Sequence, residues 1–123
     1  MQNGLRTHVR PMAKEKPMQA NDYQALAMRT LNPKLDNTEV LSNAVMGLCG
    51  ESGEAIDIVK KHLFQGHELD REGLAAELGD IAWYLAEAAT ALGIELDDVL
   101  SANIDKLAKR YPEGFSEWRS INR

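Results

Sequence analysis

Helical periodicity runs through almost the whole chain after residue 17, and this pattern restricts the possible folds more than any other feature. Apolar residues recur every three or four positions, strand-like alternation is absent, and β-branched residues are sparse. The four prolines, at positions 11, 17, 33 and 112, all lie outside the periodic stretches, where a proline would break a helix. The sequence therefore predicts an all-α fold.

Capping residues and helix-stopping residues predict four helices. Asn21 followed by Gln24 resembles a capping box, and either Asp36 or Asn37 is suited to cap the second helix. A glycine directly follows the second and the third helix, which is a common way for a helix to end. The predicted helices cover residues 21–31, 38–65, 70–92 and 96–110.

The last three predicted helices each have a one-sided apolar stripe and are joined by short connections. Short connections force neighbouring helices to run antiparallel, and one-sided stripes favour a bundle with a shared interior. We therefore expect an antiparallel bundle of about four helices that forms homo-oligomers through its long helices. The stripes are Leu41, Val45, Leu48, Ala55, Val59 and Leu63 in the second helix, Leu74, Leu78, Ile81, Leu85, Ala88 and Leu92 in the third, and Leu96, Val99, Leu100, Ile104 and Leu107 in the fourth.

Charge is distributed unevenly between the first 17 residues and the rest of the chain. The whole chain has a net charge of −5, although its first 17 residues hold four cations and one carboxylate. We expect residues 1–17 to be a flexible N-terminal tail and residues 18–123 to form one domain. Because that domain is acidic, it would repel phosphate backbones, and no nucleic-acid partner is expected.

Features that would direct the chain to a membrane or out of the cell are absent. No apolar run reaches the roughly 20 residues that a membrane-spanning helix needs, and the N-terminus lacks the apolar segment of a secretory signal. Cys49 is the only cysteine, which excludes an internal disulfide framework and a zinc site built from several cysteines. These absences predict a cytoplasmic protein with no membrane partner.

Two pairs of acidic residues lie three positions apart in the second and third predicted helices. Glu51 and Glu54 form the first pair and Glu77 and Asp80 the second, and this spacing projects both members of a pair from one helix face. Each pair lies on a shoulder of its helix, meaning the face directly beside the apolar stripe, and this shoulder is on the same side of the stripe in both helices. The two pairs also lie at similar distances from the turn between the helices. Antiparallel packing would bring such shoulders together, so we expect four carboxylates to converge.

A convergence of four carboxylates requires a compensating positive charge. Without one, the carboxylates repel one another and raise one another's pKa, and the sequence supplies no four cations at the same level. A divalent ion is the simplest explanation, and oxygen-only ligands favour Mg²⁺, or Mn²⁺, over zinc. For either pair taken alone, a solvated acidic surface is the alternative.

Three glycines, Gly50, Gly53 and Gly79, flank the acidic pairs inside the predicted helices. Glycine in a helix interior costs about 0.5–1 kcal/mol relative to alanine. Their positions therefore indicate that something approaches the backbone closely, and a neighbouring helix and a ligand are the two candidates.

Polar and cationic residues of the fourth predicted helix are candidates to bind an anion beside the carboxylates. Asn103, Lys106 and Arg110 lie on one shoulder of that helix. Antiparallel packing against the third helix would set Asn103 level with Asp80, and it would set Lys106 level with Glu77. An amide and two cations in that position are suited to hold a polyphosphate. Compensation of the helix dipole is the alternative role for the helix-end cations.

Lys61 and Tyr84 are two further candidate binding residues. Lys61 lies one heptad after Glu54 and on nearly the same face, within reach of the same anion. Tyr84 lies one turn beyond Asp80 and is suited to stack on a base, with a core or subunit contact as the alternative.

The order and spacing of these motifs resemble those of the MazG-like family of all-α nucleoside triphosphate pyrophosphohydrolases. The hallmark of that family is ExxE followed, after a spacer, by ExxD, and this chain has ESGE at 51–54 and ELGD at 77–80. The similarity extends through GLCGESGEAIDIVKK, AAELGDIAWYLAEAATALGIELDDVL and the closing NIDKLAKRYP. It covers most of the chain, from about residue 20 to residue 112.

The resemblance implies a metal-dependent enzyme and assigns roles to the acidic pairs. A Mg²⁺ site would be built from Glu51, Glu54, Glu77 and Asp80, and either Glu51 or Glu54 would act on the attacking water as the catalytic base. The enzyme would hydrolyse a nucleoside or deoxynucleoside triphosphate between its α and β phosphates and release pyrophosphate, as in nucleotide-pool housecleaning. Family members are typically dimers or tetramers whose pocket is completed by a neighbouring chain.

The candidate anion-binding residues are then suited to hold the triphosphate that the resemblance implies. These would be Lys61, Asn103, Lys106 and Arg110, with Lys106 and Arg110 matching the family pattern. Asn103 departs from that pattern, since many relatives have lysine at the corresponding position.

Other interpretations stay open from the sequence alone. A dimeric dUTPase, a dCTP pyrophosphatase and a phosphoribosyl-ATP pyrophosphohydrolase share the metal chemistry and differ in the base they accept. A carboxylate-bridged di-iron bundle would need Glu-x-x-His on two helices, whereas Glu51 and Glu77 are followed three residues later by Glu54 and Asp80. A non-catalytic helical interaction module would leave the acidic patch merely solvated.

Overall fold

The fold is described by a computed structural model over residues 17–123, and this part of the chain consists of helices and turns. No β-strand occurs in it; the one isolated bridge joins Pro112 to Gly114. The all-α prediction is confirmed. The predicted N-terminal tail lies outside the described residues except for Pro17. The helices are α1 (Ala20–Ala27) with a 3₁₀ turn (Met28–Thr30), α2 (Asn37–Phe64), α3 (Arg71–Ala91), α4 (Leu96–Arg110) and α5 (Glu117–Ile121).

The ends of α2 and α3 follow from local chemistry, as predicted. Asp36 caps α2 through a capping box, in which its Oδ1 accepts from the backbone N–H of Glu39 at 2.9 Å. Asp70 caps α3 by accepting from Gly73 N–H at 2.9 Å. Gly66 and Gly93 follow the two helices with φ of +77° and +72°, a conformation in which a side chain would be strained.

The predicted capping box of α1 is wrong, because both of its residues bind to α4 instead. The N-cap of α1 is Gln19, which makes no side-chain cap bond. Asn21 Oδ1 accepts from the backbone N–H of Asp97 at 2.9 Å, and Gln24 Oε1 accepts from that of Leu96 at 2.6 Å. The two amides thus satisfy unpaired N–H groups in the first turn of α4.

Helices α2 and α3 pack along each other as a hairpin, residues 37–91, and form the most extensive contact between elements. Mostly small side chains lie between elements in the core, and of the predicted stripe residues only Leu96 is fully buried. The predicted stripes are therefore displaced in the single chain. Small side chains let helices approach closely, which leaves the larger apolar groups at the edges of the contact. The buried apolar residues are Ala27, Val40, Ala44, Ala86, Ala89, Ala91 and Leu96.

The C-terminal arm, residues 96–123, consists of α4, α5 and the loop between them, and it is attached mainly through the start of α4. Helix α4 contacts α1 and α3, and Leu96 is buried against Ala27 and Ala86. Every residue of α4 from 97 to 109 is exposed. The five-residue helix α5 was not predicted from the sequence.

None of the described helices is both long and apolar enough to span a membrane.

Candidate metal centre

The acidic cluster, defined as Glu51, Glu54, Glu77 and Asp80, lies where α2 and α3 pass each other. One carboxylate oxygen from each of Glu51, Glu77 and Asp80 lies within 4.8 Å of the others. Glu54 lies beside them, since it lines a cavity of about 560 Å³ together with Glu77. Three of the four predicted carboxylates therefore converge within the reach of a single ion, and the fourth borders the same space.

Electrostatic repulsion in the cluster is concentrated on Glu77. Hydrogen bonding with Glu51, desolvation and the negative charges of Glu51, Glu54 and Asp80 raise the pKa of Glu77 from 4.5 to about 7. Its Oε2 atom is buried, and no donor group of the described residues satisfies it. A carboxylate oxygen in this position is suited to bind a cation, which would remove the repulsion.

The three glycines beside the cluster leave open space rather than a helix contact. A Cβ atom added to Gly50, Gly53 or Gly79 would meet no atom within 4 Å. Close helix packing therefore does not explain these glycines. Gly50 and Gly53 line the cavity that also contains Glu54 and Glu77, so the backbone there is accessible to a ligand.

Lys61 borders the same cavity, although its ammonium group is already paired. It lines the cavity with Glu54 and Glu77, and its Nζ lies 3.1 Å from a carboxylate oxygen of Asp57. Lys60 binds the other oxygen of Asp57 at 3.1 Å. Hydrogen bonds from both lysines lower the pKa of Asp57, which keeps this exposed carboxylate ionised at the cavity edge.

Comparison with known proteins identifies the family. Residues 41–115 match the model of the MazG nucleotide pyrophosphohydrolase domain, a segment that includes both acidic pairs. The chain belongs to this family. It is also 39% identical over 92 residues to the gene 37 protein of Mycobacterium phage L5, an alignment that covers 72% of this chain and 81% of the phage protein. No solved structure matches the chain.

Within this MazG domain, Tyr84 packs against the backbone rather than into the open cavity. Its ring lies directly over Gly47 of α2, where a Cβ atom would collide with it. It also makes an edge-to-face contact with Trp83, with ring centroids 5.1 Å apart. Tyr84 therefore has a clear packing role in the single chain, and its predicted contact with a base stays a prediction.

The predicted polyphosphate-binding residues of α4 do not border the acidic cavity of the same chain. Asn103 and Lys106 are exposed, and Lys106 and Arg110 line a different cavity, against α5. The sequence argument assumed that α4 lies along α3 over its whole length. In the structure only the first turn of α4 is anchored, because Leu96 is its only buried residue.

Reasoning from the sequence did not find two further residues, of which Tyr23 contacts α3 at the cluster and Glu87 lies farther along α3. Tyr23 of α1 donates its hydroxyl to the carbonyl oxygen of Gly79 at 3.5 Å, and desolvation together with the charge of Asp80 raises its pKa. Glu87 of α3 is completely buried and accepts from Asn43 Nδ2 at 3.0 Å through both oxygens. Glu87 follows Asp80 by seven residues, about two helical turns, and so lies on nearly the same face of α3. This spacing is the sequence pattern that could have indicated Glu87.

Proposed function

We propose that this MazG domain hydrolyses a nucleoside or deoxynucleoside triphosphate between the α and β phosphates, giving the monophosphate and pyrophosphate. The observation that carries the proposal is the convergence of Glu51, Glu77 and Asp80 oxygens within 4.8 Å on two adjacent helices. Family membership supports the reaction class. The open cavity beside these oxygens provides room for a phosphate chain.

The residues present fit a hard divalent cation. All donors are carboxylate oxygens, which suit Mg²⁺ or Mn²⁺, and the buried Oε2 of Glu77 has no other partner among the described residues. Glu51, Glu54, Glu77 and Asp80 would hold the ion. When bound, it would neutralise charge that develops on the phosphate oxygens and would acidify a coordinated water.

The side chains of the cluster have distinct tasks in this proposal. Glu51 or Glu54 orients the attacking water and accepts its proton. The water oxygen forms a bond to the α phosphorus, the bond from that phosphorus to the α–β bridging oxygen breaks, and pyrophosphate leaves with the electron pair. No covalent nucleophile is required, which is consistent with Cys49 as a residue without a catalytic role.

Substrate binding is assigned to residues inside and outside the cavity. Lys61 and the backbone at Gly50 and Gly53 border the cavity, in which we propose that the phosphate chain lies. Tyr84 is the proposed base contact. Asn103, Lys106 and Arg110 would bind the phosphates from the α4 side, and since they do not border the acidic cavity of their own chain, we propose that a second copy supplies them.

A homo-oligomer, dimeric or tetrameric, is proposed from the apolar surface that the chain leaves uncovered. Large apolar residues of α2 and α4 are exposed, including Phe64 at 79% and Ile104 at 63%. Exposed apolar surface of this extent marks an interaction site in a soluble protein. Sedimentation analysis should therefore give a mass of at least two chains; a monomer at micromolar concentration would contradict this assembly.

Pyrophosphate release from the eight common nucleoside and deoxynucleoside triphosphates, with and without Mg²⁺, tests the function. We expect release only with the metal, and the panel, extended to dUTP and phosphoribosyl-ATP, separates the family's substrate classes. Glu54→Gln should abolish turnover while the circular dichroism spectrum is unchanged. Glu68→Gln, an exposed glutamate outside the cluster, is the matched control. Equal activity of both variants would favour a non-catalytic interaction module.

A further inference from the structure

A second cavity, of about 340 Å³, lies between the end of α4 and α5, and its lining is strongly basic. Five of its residues are cationic: three lie in α4, one lies in α5 and one follows α5. No Asp or Glu side chain lines it, although the chain as a whole has a net charge of −5. We refer to it as the cationic cavity. Its cations are Lys106, Lys109, Arg110, Arg119 and Arg123, and Trp118 is also part of the wall.

Local interactions hold the two walls of the cationic cavity together. The rings of Tyr111 and Phe115 are in contact, with centroids 5.4 Å apart, and Gly114 completes the turn with a φ of +94°. Ser116 then caps α5 by accepting from Arg119 N–H at 3.3 Å. The loop therefore places α5 near the last turn of α4, so that cations from both sides of the loop line one cavity.

The cations of this cavity have no partners within the described chain. None of them forms an ion pair with a residue of segment 17–123. The negative end of the α4 dipole accounts for Lys109 and Arg110 in its last turn. It does not account for Arg119 and Arg123, which belong to a different segment. Solvent screens the mutual repulsion of these cations in part, and an anion bound between them would neutralise it.

We infer that the cationic cavity binds the phosphate chain of a nucleotide. Lysine and arginine side chains from two walls are suited to grip several phosphate oxygens. Trp118 is 67% exposed at the same site, and an exposed indole provides a surface on which a base can stack. The wall formed by α5 is the new element, since it lies beyond residue 115, where the family match ends. Because Lys106 and Arg110 are also the proposed phosphate contacts of the substrate, this inference rests in part on the proposed function. Binding here needs neither a metal nor hydrolysis, so a metal-free measurement separates the two.

Binding of inorganic tripolyphosphate in the presence of EDTA tests this assignment. Without a metal the acidic cluster repels the probe, so calorimetry on the full chain reports the cationic cavity. We expect saturable binding that Arg119→Ala with Arg123→Ala weakens by about tenfold or more. Arg29→Ala with Arg71→Ala removes the same charge from exposed positions elsewhere and should leave the affinity within about twofold.

A second comparison tests the role of Trp118. Trp118→Ala should weaken the binding of ATP in EDTA by about fivefold or more, because base stacking contributes about 1–3 kcal/mol, while tripolyphosphate affinity stays unchanged. Equal affinity of wild type and Trp118→Ala for ATP would contradict a nucleotide ligand.

The remaining outcomes decide between sources and alternatives. The Glu54→Gln protein can be mixed with the Arg119→Ala, Arg123→Ala double variant and pyrophosphate release by the mixture measured. If the mixture regains activity, the bound phosphates are those of the substrate at a neighbouring copy. If it does not, while binding persists in EDTA, the ligand is a second nucleotide. No binding in EDTA, equal loss in the Arg29→Ala, Arg71→Ala control, or tighter binding of a single-stranded oligonucleotide would overturn the inference.

Discussion

The α2–α3 hairpin and the C-terminal arm differ in how much of each packs against the rest of the chain. The hairpin is closed by capping bonds at Asp36 and Asp70, and it brings acidic residues into a shared cluster. The arm is anchored by Leu96 at its start and exposes the rest of α4. The hairpin is therefore a self-contained scaffold for carboxylates, whereas the arm presents cations and apolar groups outward. One chain therefore holds the carboxylates of the proposed metal site and the cations of the proposed phosphate site in separate regions.

The largest expected effect distinguishes an acidic residue of the hairpin from one of the arm. Asp80→Asn should lower kcat/KM for pyrophosphate release by about 100-fold or more, since Asp80 would help to hold the cation that stabilises the transition state, and loss of such stabilisation typically costs about 3 kcal/mol. Asp98→Asn, an exposed position in α4, should change it less than twofold. Similar losses in both variants would mean that overall negative charge, rather than the cluster, supports activity.

A smaller effect is expected on stability, again with a contrast between the two regions. Asn43→Ala would leave the buried carboxylate of Glu87 without its donor and should reduce the free energy of unfolding by about 2–3 kcal/mol. Asn122→Ala in the arm, whose side chain bonds to Trp118 O at an exposed position, should cost about 0.5 kcal/mol. Urea titrations measure both. A Glu87→Gln variant more stable than Asn43→Ala would support the unpaired charge as the cause.

The exposed stripe of the arm should matter for assembly rather than for folding. Ile104→Asp introduces a charge into this stripe, and we expect it to weaken self-association roughly tenfold to a hundredfold while helicity is retained. Ala102→Asp adds the same charge to the opposite face of α4 and serves as the control. Sedimentation equilibrium compares the two variants. Unchanged association in Ile104→Asp would show that α4 lies outside the interface.

The smallest expected effect concerns the pH dependence of the hairpin, because Glu54 and Asp80 are exposed and solvent screens their charges. Because the pKa of Glu77 is raised from 4.5 to about 7, the metal-free folded chain binds this proton more tightly than the unfolded chain. Its contribution to stability is present below pH 4.5 and is lost as the pH rises to about 7. Since Mg²⁺ must displace that proton, stabilisation by Mg²⁺ should increase over the same range. Thermal unfolding with Mg²⁺ or EDTA measures this, and Glu77→Gln should remove the dependence.

The sequence predicted most of the hairpin because its determinants are local. Capping residues and glycines fixed the ends of α2 and α3 to within about a turn, and a short connection required antiparallel packing. The i, i+3 spacing of acidic residues, together with the positions of both pairs relative to the apolar stripes and the turn, then predicted the cluster. The buried surface was harder to predict, because alanines such as Ala44 and Ala86 are in the core, while larger apolar neighbours such as Val45 and Leu85 are exposed.

The arm could not be predicted in the same way because its course depends on distant contacts. The direction of α4 is influenced by Asn21 and Gln24, more than 70 residues away in the chain, and helical periodicity has no information on such a bond. Helix α5 has five residues, too few for a periodic pattern. The cationic cavity was missed for both reasons, although Lys106 and Arg110 were recognised individually.

The two hydrogen bonds between side-chain amides of α1 and the start of α4 have a mechanical consequence. They lie at the attached end of the arm, and Arg123 lies at its other end. A slight rotation of α4 at Leu96 would therefore displace the guanidinium groups at the far end by a larger distance. Helix α1 contributes no carboxylate to the cluster, yet two of its side chains hold the start of α4. Helix α1 therefore helps to orient the arm that carries the cations.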